Sequence, residues 1–219
     1  MAEFPALPNP TIQQLRQQLR DQFPLAHRGA AIPEHAPAIT PVFPDAACFP
    51  KGGISEISPV GSASGMGLIL ASLLEQESAP GSIPELALID GRDQFDPRSF
   101  APHLCARLLW VRCLSPEQSL KAADLLLRDG NLPRVVLDLL GYSSREIATI
   151  RAGAWHRLKQ WIESSASTLI ALTPRPMVPC TAARFGLRSR IDLEHLNQSR
   201  HDLIGQLQVA SPPYRRMLR

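Results

Sequence analysis

The stretch ISPVGSASGMGLILASLL, residues 57–74, decides the fold. A strand-like start runs into a turn rich in glycine and small residues, and an apolar helical pattern follows. This order is typical of a phosphate-binding loop, in which backbone N–H groups curl around phosphate oxygens. The stretch therefore predicts a strand–turn–helix unit and raises the question of whether its turn still binds a nucleotide.

The rest of the chain alternates short apolar runs with amphipathic segments. Strands are predicted at 54–57, 85–90, 107–111, 134–139 and 168–172. Helices are predicted at 65–78, at 116–129 with Ser115 as the cap, and at 144–163. Apolar strands separated by amphipathic helices indicate a parallel sheet covered on both faces. Alternation after residue 186 adds an antiparallel edge hairpin, so the predicted fold class is α/β with a mostly parallel sheet flanked by helices.

Four segments are expected along the chain. Residues 1–23 form an amphipathic helix with one narrow apolar stripe, made of Ile12, Leu15, Leu19 and Phe23. Residues 24–47 are rich in proline and predict a linker. Residues 48–210 form the globular domain, and residues 211–219 form a basic C-terminal tail.

Composition excludes several classes of protein. Hydrophobic residues make up 44% of the 219 residues and charged residues 20%, which is globular, and no apolar run reaches the roughly 18 residues of a membrane span. The start of the chain lacks the pattern of a secretory signal, so a cytoplasmic protein is expected. The four cysteines form no CxxC pair, and neither a zinc site nor a disulfide framework is predicted. The segment 175–219 carries eight arginines against three acids, or +5, which suggests an acidic partner or nucleic acid.

The glycine-rich turn departs from the motif GxxxxGK[ST] at the positions that handle charge. When the glycine before the lysine is aligned with Gly65, the first glycine becomes Val60, with Gly61 beside it. Met66 replaces the lysine that offsets phosphate charge, and Gly67 replaces the hydroxyl that ligates magnesium. We therefore expect no bound cofactor.

Four segments resemble the RecA ATPase core in order and approximate spacing, namely residues 49–74, LALIDGRDQFDP, RVVLDLLG and TLIALTPRP. The resemblance implies a magnesium-type carboxylate at Asp138, for which a strand-end cap is the alternative role. It also places Arg92 where RecA carries the glutamate that activates the attacking water. Because a guanidinium stays protonated, Arg92 is no general base, and a protein without ATPase activity is expected.

The resemblance to the ImuA/SulA-like branch of RecA relatives is closer, and it covers roughly residues 50–210. It is carried by ALIDGRDQFDP, LLWVRCLSPEQSLKAADLLLRDGNLPRVVLDL and TLIALTPRPMV. Members of this group are accessory proteins of bacterial mutagenesis cassettes. The resemblance implies a role in damage-induced translesion synthesis beside RecA and an ImuB-type polymerase homologue.

Three surfaces are candidate interaction sites. The N-terminal helix resembles in position the segment by which RecA protomers dock on their neighbours, with Ile12, Leu15 and Leu19 as anchors. The segment 174–187 matches the region where RecA relatives contact single-stranded DNA, and its candidates are Arg175, Arg184, Phe185 and Arg188; a plain surface loop with one anchoring aromatic is the alternative. The tail, with Tyr214, Arg215 and Arg216, suits capture by a partner groove, although a frayed end is the general expectation.

Two other functions remain open from the sequence. One is a divergent ATPase in which Lys51 or Lys121 replaces the missing lysine and Asp138 keeps magnesium. The other is a single-stranded DNA-binding module that uses the basic end of the chain.

Overall fold

The computed structural model describes residues 14, 17, 21, 49–60, 65–75, 86–165, 167–189, 191 and 193–210. Its strands are β1 (Ile54–Pro59), β2 (Leu86–Gly91), β3 (Leu108–Cys113), β4 (Arg134–Asp138), β5 (Thr168–Leu172), β6 (Ala183–Ser189) and β7 (Leu207–Ala210). Its helices are α1 (Met66–Glu75), α2 (Pro102–Cys105), α3 (Pro116–Asp129), α4 (Ser144–Ile147), α5 (Ala152–Ser165) and α6 (Arg200–Ile204). Two 3₁₀ segments lie at Pro97–Ser99 and Leu193–Asn197.

The seven strands form one sheet in the order β3-β2-β4-β5-β1-β6-β7. Every neighbouring pair is parallel except β6 and β7, which are antiparallel at one edge. The predicted α/β class, the mostly parallel sheet and the antiparallel edge pair are thus confirmed. In a parallel sheet the carboxyl ends of the strands share one edge, and here that edge carries the turn after β1 and the loops after β2 and β4.

The sheet is covered on both faces, as the continuous apolar strands require. One face packs on α3 and α5 through Leu127, Trp155, Leu158 and Ile162. The other packs on α1 through Ile69, Leu70, Leu73 and Leu74. Strand side chains alternate between these two faces, so Leu137 and Val136 on β4 enter different cores.

Helix α3 has the predicted bounds and the predicted cap. The Ser115 hydroxyl oxygen accepts a hydrogen bond from the backbone N–H of Gln118, 3.3 Å away. Gly130 ends the helix with φ at 72°, a left-handed conformation that glycine adopts at no steric cost.

The single helix predicted at 144–163 is wrong, because the chain forms α4 and α5 with a turn between them. The backbone N–H groups of Thr149 and Ile150 donate to carbonyls three residues back, and the Thr149 hydroxyl also donates to Glu146 O at 2.6 Å. A local hydroxyl donor of this kind competes with the helical ladder.

The confirmed edge pair has a long connection. Its two antiparallel strands are joined through the Leu193–Asn197 segment and α6. β6 begins at Ala183, so Arg184, Phe185 and Arg188 lie on a strand and not in or beside a loop that runs to residue 187.

Several predictions fall outside the described residues, including the linker at 24–47 and the tail at 211–219. In the predicted N-terminal helix, Gln14, Gln17 and Asp21 are helical and exposed. Among the described residues, no helix has the length and apolar character needed to cross a membrane.

Candidate functional site

A cleft of about 450 Å³ opens at the carboxyl edge of the sheet, on the α1 face. Its floor and walls include Leu70, Leu88, Phe95, Phe100, Leu140 and Leu172. Its polar lining includes Gln94, Asp96, Ser99, Asp138 and Arg200, and the start of α1 borders it at Gly65 and Gly67. A volume of this size suits a small molecule or a few side chains of a peptide.

Gly65, the last residue before α1, borders this cleft. Gly65 has φ at 95°, and a Cβ there would lie 2.8 Å from Cδ2 of Leu207. Gly65 therefore has a packing reason of its own, because it allows β7 to approach the start of α1. Gly61 and the side chain of Met66 lie outside the described part of the chain.

Asp90 holds the loop that follows β2. Its carboxylate is 1% exposed and accepts hydrogen bonds from the backbone N–H groups of Gln94 and Phe95, at 2.8 and 2.9 Å. A third comes from the indole N–H of Trp110 at 3.0 Å. These bonds fix a loop in which two non-glycine residues, Arg92 and Asp93, have φ of 72° and 56°. The loop in turn places Phe95 and Asp96 in the cleft wall.

Asp138 ends β4 and lines the cleft. Its carboxylate accepts a hydrogen bond from Leu140 N at 2.9 Å. Burial raises the pKa of Asp138 to about 6, and the neighbouring charge of Asp90 adds to the rise, while the Leu140 bond lowers it. The predicted Walker B-type position is therefore at the cleft, and the carboxylate also caps the turn after β4.

Arg92 does not line the cleft. Its guanidinium forms an ion pair with Glu146 and lies 5.4 Å from the ring centre of Tyr142. The bonds from Ser143 and the ion pair with Arg92 hold the pKa of Glu146 below its ordinary value. The side chain at the position of the RecA glutamate is thus bound to α4, away from the candidate site.

Arg200, on α6, is a residue that sequence reasoning did not single out. Its guanidinium lies 4.3 Å from the ring centre of Phe100 and donates to the carbonyl oxygen of Ser99. Among the described lining residues it is the one cation. Neither Lys51 nor Lys121 takes that place: Lys51 precedes β1, at the opposite edge of the sheet, and Lys121 is exposed on α3, on the other face.

A second polar cluster lies on the α3/α5 face, beneath the chain between β5 and β6. Glu56, 0% exposed, accepts hydrogen bonds from Thr173 Oγ1 at 3.0 Å and from the backbone N–H groups of Met177 and Val178 at 2.6 and 3.1 Å. Arg184 Nε lies 2.6 Å from Oε2 of Glu56, and its Nη2 donates to Val178 O at 2.5 Å.

These contacts give Arg184 a role inside the fold, although it was a candidate for contact with DNA. Arg184 forms an ion pair with Glu56 inside the fold. The ring of Phe185 packs edge-on against that of Phe49, with 5.7 Å between the two ring centres. Phe185 therefore has the anchoring role that was the alternative to base stacking. Arg175 is exposed before β6 and Arg188 is half-buried opposite Gln208, and their contact with DNA stays a prediction.

The remaining candidates lie outside the described residues: Ile12, Leu15, Leu19, Phe23, Tyr214, Arg215 and Arg216. In the described part of the chain, no group of three or more His, Cys, Asp or Glu side chains is arranged to hold a metal ion. No protein-family model matches the chain, and no curated protein matches it either.

Proposed function

We propose that this chain is a non-catalytic RecA-like accessory protein of damage-induced mutagenesis, similar in role to ImuA. It acts in the cytoplasm by binding RecA, an ImuB-type polymerase homologue, or both. The observation that carries the proposal is a cleft with the layout of a nucleotide site and the wrong charge for a triphosphate.

The charge argument starts from the carboxylates. Asp96 and Asp138 line the cleft, and Asp90 lies close enough to raise the pKa of Asp138 further. Arg200 is the single cation among the described lining residues, and one of its donors already bonds Ser99. A triphosphate brings several negative charges, which this site offsets poorly without the lysine that Met66 replaces.

The hydrolytic step also lacks its base. A water-activating group must reach the water by a hydrogen bond and must accept a proton. Arg92 does neither, since it is permanently charged and paired with Glu146. A fold that keeps its sheet while losing this chemistry is suited to act as a binding scaffold.

Calorimetric titration with Mg·ATP tests the catalytic half of the proposal. The natural protein is expected to give no binding heat at micromolar concentrations. The variant Met66→Lys/Gly67→Thr restores the two charge-handling positions and serves as the matched comparison. Micromolar, magnesium-dependent binding by the natural protein would overturn the proposal.

Binding to purified RecA and to an ImuB-type protein tests the other half. Changing Ile12, Leu15 and Leu19 together to Asp is expected to weaken RecA binding at least tenfold. The control carries Gln14→Glu and Gln17→Glu, at exposed helical positions of the same segment, and should bind like the natural protein. If removal of residues 1–24 leaves RecA binding intact, this helix is not the contact.

A divergent ATPase is the second candidate, and Arg200 is the observation that favours it. An arginine brought into the cleft from α6 supplies a positive charge where the loop itself supplies none. Under this alternative, Arg200→Ala abolishes nucleotide binding in the same calorimetric assay, and the natural protein binds.

A further inference from the structure

We propose that the cleft is a peptide-binding site and that its occupant is the chain's own segment 211–219, SPPYRRMLR. The inference goes beyond the proposed function, because it assigns an occupant to the cleft and a state in which the tail is less available to a partner.

The cleft is lined mainly by apolar side chains, and the segment has apolar side chains that could cover them. Seven apolar side chains form most of its floor and walls: Leu68, Leu70, Leu88, Phe95, Phe100, Leu140 and Leu172. The segment supplies Tyr214, Met217 and Leu218 to cover them. Peptide grooves commonly pair such apolar anchors with a few placed polar groups.

The charges are complementary. Asp96 and Asp138 line the cleft against one arginine, Arg200, so the described lining has an excess of negative charge. The segment carries Arg215, Arg216 and Arg219 and no acid. A guanidinium beside Asp138 would offset a half-buried carboxylate, which is favourable in a partly dehydrated site.

The distances allow the segment to reach the cleft within one molecule. β4, which ends at Asp138, lies four strand positions from β7, or about 19 Å. The strand register places Asp138 level with Phe185, and Ala210 is paired with the next residue, Gly186, which adds only about 3 Å along the strand direction. The straight-line distance is therefore about 19 Å. Extended chain places the three arginines about 17 to 31 Å from Ala210, a range that includes this distance.

The position of β7, which directly precedes the segment, also favours docking in the same molecule. Leu207, at the start of β7, packs at Gly65 on the border of the cleft, and Arg200 from the preceding helix forms part of its lining. A tethered segment acts at an effective concentration of about 1 mM. A segment with a dissociation constant of about 0.1 mM is then docked about nine-tenths of the time.

A photo-crosslinking experiment in the full chain tests the location. With p-benzoylphenylalanine in place of Tyr214, irradiation is expected to link position 214 to residues 94–100 or 138–140 of the same molecule. Isotopically mixed chains separate links within a molecule from links between copies. Crosslinks between two copies would show that the segment of a second copy occupies the cleft. Crosslinks to residues outside the cleft would show that the segment does not bind there. Either result overturns the proposal.

A competition experiment tests the chemistry. A fluorescent synthetic peptide, SPPYRRMLR, is titrated into the natural chain and into the variant Tyr214→Ala/Arg215→Glu/Arg216→Glu. The peptide is expected to bind the variant about tenfold more tightly, because its cleft is no longer occupied by its own segment. Asp96→Asn/Asp138→Asn, added to that variant, should weaken binding at least tenfold.

Asp129→Asn, added to the same variant, is the control. Asp129 ends α3 at the opposite edge of the sheet, and its loss should leave peptide affinity unchanged. Equal affinity of the natural chain and the variant would overturn docking within the molecule. A cleft variant that binds like the control would overturn the site itself. Neither result depends on RecA, ImuB or ATP, so both are separate from the fate of the proposed function.

Discussion

Two carboxylates of the same sheet, the buried Glu56 and the half-buried Asp138, have different surroundings. Glu56 receives three uncharged donors and the guanidinium of Arg184. Asp138 receives one backbone N–H, from Leu140, and faces the negative charge of Asp90.

This difference distinguishes a charge that stabilises the fold from a charge that is available to a ligand. A buried ion that is fully bonded fixes the chain around it, since any other arrangement leaves donors or acceptors unpaired. A half-buried carboxylate with one donor keeps capacity for a ligand group, and it costs stability while that capacity is unused. Glu56 therefore belongs to the scaffold, and Asp138 belongs to the cleft.

The largest expected effect comes from breaking the Glu56 cluster. Glu56→Gln leaves the mostly buried guanidinium of Arg184 without its counter-charge, and the free energy of unfolding should fall by about 3 kcal/mol. Urea unfolding at pH 7 measures the change. The double variant Glu56→Gln/Arg184→Gln should lose less than the sum of the two single changes, because they remove one shared interaction.

Additive losses in that cycle would contradict the structural assignment of the pair. The sheet would then be held mainly by its apolar cores. In that case Glu56 and Asp138 would differ only in how deeply they are buried, and not in how fully they are hydrogen-bonded.

The second effect has the opposite sign. The pKa of Asp138 is raised to about 6 in the folded protein, from an ordinary value of 3.8. The folded state therefore holds the proton more tightly, and the free energy of unfolding falls as pH rises from about 4 to about 6. Asp138→Asn removes this loss. In the variant Tyr214→Ala/Arg215→Glu/Arg216→Glu, whose segment 211–219 no longer offers Arg215 or Arg216 to the cleft, it should stabilise the protein by up to about 3 kcal/mol at pH 8.

Unfolding measured at several pH values checks this sign. The gain should vanish below about pH 4, where the natural carboxyl is protonated in both states. Asp129→Asn is the matched change at an exposed position, and its effect should be small at every pH. A loss of stability on Asp138→Asn at pH 8 in the variant with the changed segment would mean that a cation other than Arg215 or Arg216 reaches this carboxylate in the folded protein.

Sequence reasoning predicted the elements whose signals are local. The bounds of α3 followed from Ser115 and the amphipathic pattern, which lie within 15 residues. β2, β4 and β5 followed from near-continuous apolar runs. The helix break at Thr149 was missed because a hydroxyl bond to Glu146 leaves no pattern in the sequence.

The site was predictable only in part, for a reason of distance along the chain. Gly65, Gly67 and Asp138 were found because they occupy motif positions. Arg200 meets Ser99 across 101 residues, and Arg184 meets Glu56 across 128. Such contacts depend on strand order, and strand order is set by the whole set of packing interactions. The sequence therefore offered Arg184 as a candidate DNA contact and gave no signal that the fold pairs it with Glu56.

The smallest expected effect comes from a second ion pair. It tests whether burial or pairing causes the difference between Glu56 and Asp138. Arg92 and Glu146 are paired at the surface, with side chains 44% and 33% exposed, and Glu146 is also bonded by Ser143. Arg92→Gln should leave the urea midpoint within experimental error, because water and salt already screen an exposed pair. Equal midpoints for both proteins at low and at high salt would show that pairing without burial adds little here. A loss as large as that of Glu56→Gln would instead mean that the loop of Arg92 and Asp93, with its two left-handed residues, depends on this contact. The wall formed by Phe95 and Asp96 would then belong to the scaffold as firmly as Glu56 does.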